Sequence, residues 1–205
     1  MPPPRRSRAV AGARIISGVI VLALLAYAYA LRIANDDSNL FDFFGYFTNQ
    51  TSLLISIVLI GAGVSGLRGR QASYAFSLTR GIAVACAIVV GVIYNVLVPG
   101  TGSAPPWVSV ALHIVLPIAV VVDWCLLRDR SPLRWRDLWL VLPYPLIWMI
   151  VVLIRGRTDG WVPYGFLLPE HGAASLAAHV VGLVATLFAA GALVWGASQL
   201  LRDRR

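Results

Sequence analysis

A threonine hydroxyl becomes a nucleophile only when a base takes its proton, and a histidine near its ordinary pKa suits that task. This chain sets such a pair in unusual surroundings. Thr48 opens the run Thr48-Asn49-Gln50-Thr51-Ser52, five uncharged polar residues between the aromatics of FFGYF and the apolar LLISIVLIGAGV. His113 lies inside a second apolar run, ALHIVLPIAVVV. An ionisable group inside a bilayer is costly, which gives His113 functional weight, and His179 in SLAAHVVGL somewhat less. Asn95, Asp42 and His179 are each candidates to orient the histidine, and spacing does not choose among them.

The elements that must position these residues are membrane spans. Of the 205 residues, 59% are hydrophobic and 13% charged, against about 25% charged in a soluble domain. A span needs about 20 mostly apolar residues. Six stretches qualify, at 13–33, 43–66, 79–98, 107–127, 138–154 and 173–200, so the expected fold is all-α, one six-helix transmembrane domain over residues 1–205. All 17 basic residues are arginine. Fourteen of them (Arg5, Arg6, Arg8, Arg14, Arg68, Arg70, Arg80, Arg128, Arg130, Arg134, Arg136, Arg202, Arg204 and Arg205) fall on one side of the spans. Only Arg32, Arg155 and Arg157 fall on the other. This bias places both termini in the cytoplasm of a plasma-membrane protein. Short arginine clusters between apolar runs read as a topology signal rather than a nucleic-acid surface. A competing reading of the first span is a cleaved signal peptide ending near Ala26-Tyr27-Ala28 or Ala28-Tyr29-Ala30; its length favours retention. Cys86 and Cys125 both fall in apolar segments and read as buried thiols, with no disulfide and no metal site.

With that topology, the helical rise of about 1.5 Å per residue puts Thr48 about 8 Å and His113 about 9 Å below the outer surface. His179 shares that depth, and Asn95 is close to the outer end of its span. Ester carbonyls of lipids occupy this layer, so membrane lipids and a lipid-like ester are the expected partners, with no cofactor required. Thr48 is expected past the free first turn of its helix, beyond help from the helix amides. Thr51 and Ser52 read as helix-packing residues. Asn49-Gln50-Thr51 matches a glycosylation sequon, but at membrane depth. Asp123 lies about 15 Å beyond His113 on one helix, too far to orient it, and should pair with Arg128 or Arg80. Two other functions fit the polar layer: a haem held by His113 and His179, or lipid binding and transport without catalysis.

At these residues the chain resembles a known family. The pattern runs Tyr46-Phe47-Thr48 before a polar helix start, then Leu112-His113 with Pro117 and Asp123-Trp124. It continues through Tyr144-Pro145 with Trp148, Arg155-Gly156, and Trp161-Val162-Pro163-Tyr164-Gly165-Phe166-Leu167. It is similar to the androgen-induced membrane-protein family, in particular its small bacterial members, from about Phe43 to Leu168. Animal members are threonine hydrolases of fatty acid esters of hydroxy fatty acids. The resemblance implies a multi-helix hydrolase with Thr48 as nucleophile and His113 as its partner. Asn49, Asn95, Tyr144, Arg155, Tyr164 and His179 are further candidates for orienting the pair or binding substrate. Relatives often carry a proline and an acid where this chain has Gly165 and Leu168.

Overall fold

The computed structural model describes residues 5–100, 104–127 and 129–200. The protein is an all-α bundle with six helical segments long and apolar enough to cross a membrane. They are α1 (Arg5–Ala34), α3 (Phe47–Leu67), α4 (Tyr74–Leu97), a segment over Pro106–Leu126, one over Trp135–Thr158, and α8 (Gly172–Leu200). A short helix, α2 (Leu40–Gly45), precedes α3.

The packing follows from small residues. α1 lies along α3, where Gly18 and Gly63 permit the approach: a Cβ on Gly18 would sit 2.8 Å from the Ser56 carbonyl oxygen, and one on Gly63 would meet the Ala11 carbonyl. Lipid is as apolar as the helices themselves, so such close backbone packing holds a bundle together where the hydrophobic effect cannot. α4 is the central helix, touching α3, α8 and the Pro106–Leu126 segment, and its Ala83, Ala85, Cys86 and Ala87 are buried.

Three local breaks set the site. First, the expected span 43–66 is not continuous. Tyr46 is extended (φ −72°, ψ 124°) and separates α2 from α3. The carbonyls stranded at the end of α2 need donors, and the polar run supplies them. Asn49 Nδ2 donates to Phe43 O at 2.7 Å, Gln50 Nε2 to Phe44 O at 2.5 Å, and Trp148 Nε1 to Gly45 O at 2.8 Å. The Trp161 indole covers Gly45, leaving no room for a side chain there. Second, the segment holding His113 runs as α5 (Pro106–Val110), a π-turn (Ala111–Val115) and α6 (Leu116–Leu126). Pro117 has no N–H to give the His113 carbonyl and its ring crowds that carbonyl; the Leu116 amide reaches back to Ala111 O, and the turn widens. Third, the expected span 138–154 is longer, a 3₁₀ segment (Trp135–Val141) followed by α7 (Pro143–Thr158).

The end of the bundle that carries the described termini is locked by charge. Arg14 Nε meets Asp123 at 2.7 Å and its other nitrogens reach Asp129; Arg80 contacts Asp123 and Asp129 at 3.2 Å each. Arg80 is the foreseen partner of Asp123. Arg14 is an addition, buried rather than solvated, and Arg128 lies outside the described residues. Burial alone would raise Asp129, but the bonds from Arg14 and the charge of Arg80 outweigh it and hold the carboxyl at about 2. Cys125 corrects the expectation of two buried thiols, since it is exposed on the α6 surface while Cys86 is buried.

Candidate functional site

Serine and threonine inside a helix ordinarily donate to the carbonyl four residues back. Ser56, Ser77, Thr79, Thr158 and Thr186 all do so here. Thr48 does not. It is the second residue of α3, and the residue four back, Phe44, lies across the Tyr46 break with its carbonyl already taken by Gln50. The hydroxyl is therefore released from its own backbone while the side chain stays buried, 7% exposed. It turns instead to His113, with Thr48 Oγ1 3.2 Å from Nε2.

His113 is held on both sides. Its Nδ1 lies 2.9 Å from the Ser109 carbonyl, which can only accept, so Nδ1 carries the hydrogen. Nε2 then presents its lone pair to the threonine, which donates to it. The ring plane is fixed by Tyr94, stacked at 3.6 Å between centroids and 11° between planes. The orienting group is thus a backbone carbonyl, and no side chain among the sequence candidates plays that part. Ser109 precedes His113 by one helical turn, but nothing in its type marks it.

The N-terminus of α3 adds donors. Contrary to expectation, Thr48 lies within the first turn, where amides lack helical partners. No side chain caps this end, and Tyr164 lines the same cavity wall as Thr48. Burial pushes the Tyr164 phenol up, so it stays protonated at neutral pH and can donate a hydrogen bond. Tyr46 packs edge-on against Tyr164 and Trp161, 5.9 Å from each, and holds this aromatic wall over the break.

Above the pair lies a chamber of about 490 Å³ in which the polar side chains of the site stand among apolar ones, here called the polar chamber. Arg32, Asn35 and Asp37 stand at its solvent-facing mouth, and Asn49, Thr48, His113 and Tyr164 line its interior. Arg32 enters sequence reasoning only through topology, yet it sits at the mouth, paired with Asp37 and over the Phe43 ring.

The other candidates go elsewhere. Asn95 is exposed and donates to Gly91 O at 2.7 Å within its own helix. Arg155 holds Asp42 at 2.7 Å and Asp159 at 2.8 Å and stacks on Trp161, bracing the loop rather than entering the chamber. Tyr144 packs on Phe47; its hydroxyl and that of Thr51 are both buried without a hydrogen-bond partner. His179 Nδ1 lies 2.8 Å from the Ser175 carbonyl and its ring stacks on Phe166. The nitrogen of His113 that a haem would need, Nε2, is turned to Thr48 instead. Among the described residues no group of three metal-ligating side chains forms.

These features define a class: a six-helix membrane protein with a buried threonine–histidine pair beneath a polar chamber. No protein-family model, curated protein or solved structure matches the chain.

Proposed function

We propose that this protein is an integral-membrane hydrolase of fatty-acyl esters, with Thr48 as nucleophile and His113 as general base. The observation that carries the reading is the Thr48–His113 contact, made by a hydroxyl freed from its helix and a histidine whose tautomer leaves Nε2 basic. In the first half-reaction Nε2 takes the Thr48 proton as Oγ1 bonds to the acyl carbon. The proton then passes to the departing alkoxide as the C–O bond breaks, releasing the alcohol and leaving an acyl-threonine. In the second, water from the polar chamber gives its proton to Nε2 and its oxygen to the acyl carbon; Oγ1 leaves and recovers the proton, and the carboxylic acid is released. The charge that develops on the carbonyl oxygen would be met by the amides of Phe47 and Thr48 and by the Tyr164 hydroxyl, an arrangement in which fixed donors stabilise an oxyanion.

The resemblance to the androgen-induced family, which implies the same two roles, supports this reading. The arginine asymmetry supports a plasma-membrane location with cytoplasmic termini, so the polar chamber opens outward. A fluorophosphonate probe tests the nucleophile. Wild-type protein in detergent should be labelled, and Thr48→Ala should not. Equal labelling of both would remove Thr48 from the reaction; a folded wild type that takes no label while still retaining lipid would favour a non-catalytic lipid-binding protein.

A further inference from the structure

Thr48 is a wall shared by two spaces of opposite character. On one side is the polar chamber. On the other is a narrow apolar chamber of about 60 Å³, whose inner part is lined by Val89 and Val90 of α4, Met149 of α7, and Leu183, Val184 and Leu187 of α8. Tyr94, Val98 and Tyr164 border both. Val90 is seven residues from the end of α4, so this chamber runs about 10 Å inward from the site end of the bundle. It also reaches the lipid-facing surface. Leu146 of α7 lines it and is 37% exposed, and α8 packs along α4 rather than along α7, leaving the α7–α8 side the weak wall.

Resting on the hydrolase reading above, we infer that the apolar chamber is the acyl site. The fatty chain of the ester enters sideways from the bilayer between α7 and α8, its carbonyl stops at Thr48, and the alcohol portion projects into the polar chamber. The geometry divides the substrate by chemistry. A carbonyl held at Thr48 must send one arm to each side, and a hydrocarbon arm in the polar chamber would strand Arg32, Asn49 and Asp37 against apolar surface. The reverse placement would leave a hydroxylated or charged arm among valines and leucines. A chain arriving from lipid gains nothing from leaving water, so selection here comes from fit rather than from hydrophobic transfer. The residues that set the fit are Leu183 and Leu187, with Leu146 at the entry.

Competing esters test this. Purified wild type and Leu183→Trp are compared on p-nitrophenyl palmitate and p-nitrophenyl acetate in the same detergent, with melting temperature checking the fold. The ratio of kcat/KM for palmitate over acetate should fall about tenfold in Leu183→Trp, the scale on which a hydrophobic pocket discriminates by size. If Leu183→Trp does not fold, Val184→Phe narrows the same wall and carries the same expectation. A folded, narrowed variant with an unchanged ratio would overturn the acyl-site assignment while leaving Thr48 hydrolysis standing. Wild type that cleaves neither ester would overturn the hydrolase reading and this inference with it.

Discussion

The two ends of the bundle both place polar side chains between apolar helices, and they treat them in opposite ways. At the terminal end, Arg14, Arg80, Asp123 and Asp129 spend their hydrogen bonds on one another, with Trp124 and Leu59 packed around the acid. The adjoining cavity is only about 20 Å³. At the site end, Thr48 and His113 share a single contact, the first amides of α3 have no helical partner, and a cavity of about 490 Å³ stands open beside them. A charged cluster that closes on itself reads as structural; polar groups beside an open cavity are where a ligand would be sought. Intramembrane polarity alone does not separate the two cases, but the space beside each does.

The comparison breaks most readily at the lock. Removing one partner from a buried ion network strands the others, at a cost of about 3–5 kcal/mol. Asp123→Asn should therefore lower the melting temperature sharply, while whatever protein stays folded keeps its labelling at Thr48. A stable Asp123→Asn protein that has lost all turnover would mean the two ends are not divided as described.

The reverse pattern is expected at Tyr164. Tyr164→Phe deletes a hydroxyl in the wall beside Thr48 and keeps the aromatic ring, so kcat should fall about a hundredfold, with stability changed by no more than about 1 kcal/mol. Turnover at the wild-type level would take Tyr164 out of the oxyanion site.

The smallest effect is in acid. Asp129 is held below its ordinary value of 3.8, at about 2, so the bound carboxylate adds stability that is complete above pH 3.8 and is lost as pH falls toward about 2. Its side chain is 41% exposed, so solvent screening keeps the contribution modest. The melting temperature should be flat from neutral pH to about 5 and decline below about 4, and Asp129→Asn should flatten that limb. Identical acid limbs in both proteins would mean Asp129 adds nothing to the lock.

Much of this was legible in the sequence, and the parts that were not have definite causes. Six spans follow from apolar length, and Thr48 with His113 follows from the cost of polarity inside them. The break at Tyr46 was hidden because hydropathy runs straight through FFGYF. The sign of it lay in Asn49 and Gln50, whose amides cap a helix end that hydropathy cannot see. The π-turn under His113 was readable in principle from Pro117, whose missing N–H must disturb the turn holding residue 113. Ser109 was not, because it acts through a carbonyl that every residue owns. Arg14 counted only as one of the arginines of the topology signal, since nothing local says that the fold carries it against Asp123 and Asp129.

The central claim is that Thr48 and His113 act as one unit, and a double-mutant comparison of ester hydrolysis tests it most directly. Thr48→Ala and His113→Ala should each reduce kcat/KM on a long-chain acyl ester by about a thousandfold or more, with the double mutant little worse than either, because removing either member of a nucleophile–base pair disables both. Thr48→Ser should keep part of the activity, since the hydroxyl remains while the methyl that restricts its rotamer is lost. Losses that instead multiply in the double mutant, or a Thr48→Ala protein as active as wild type, would contradict the account.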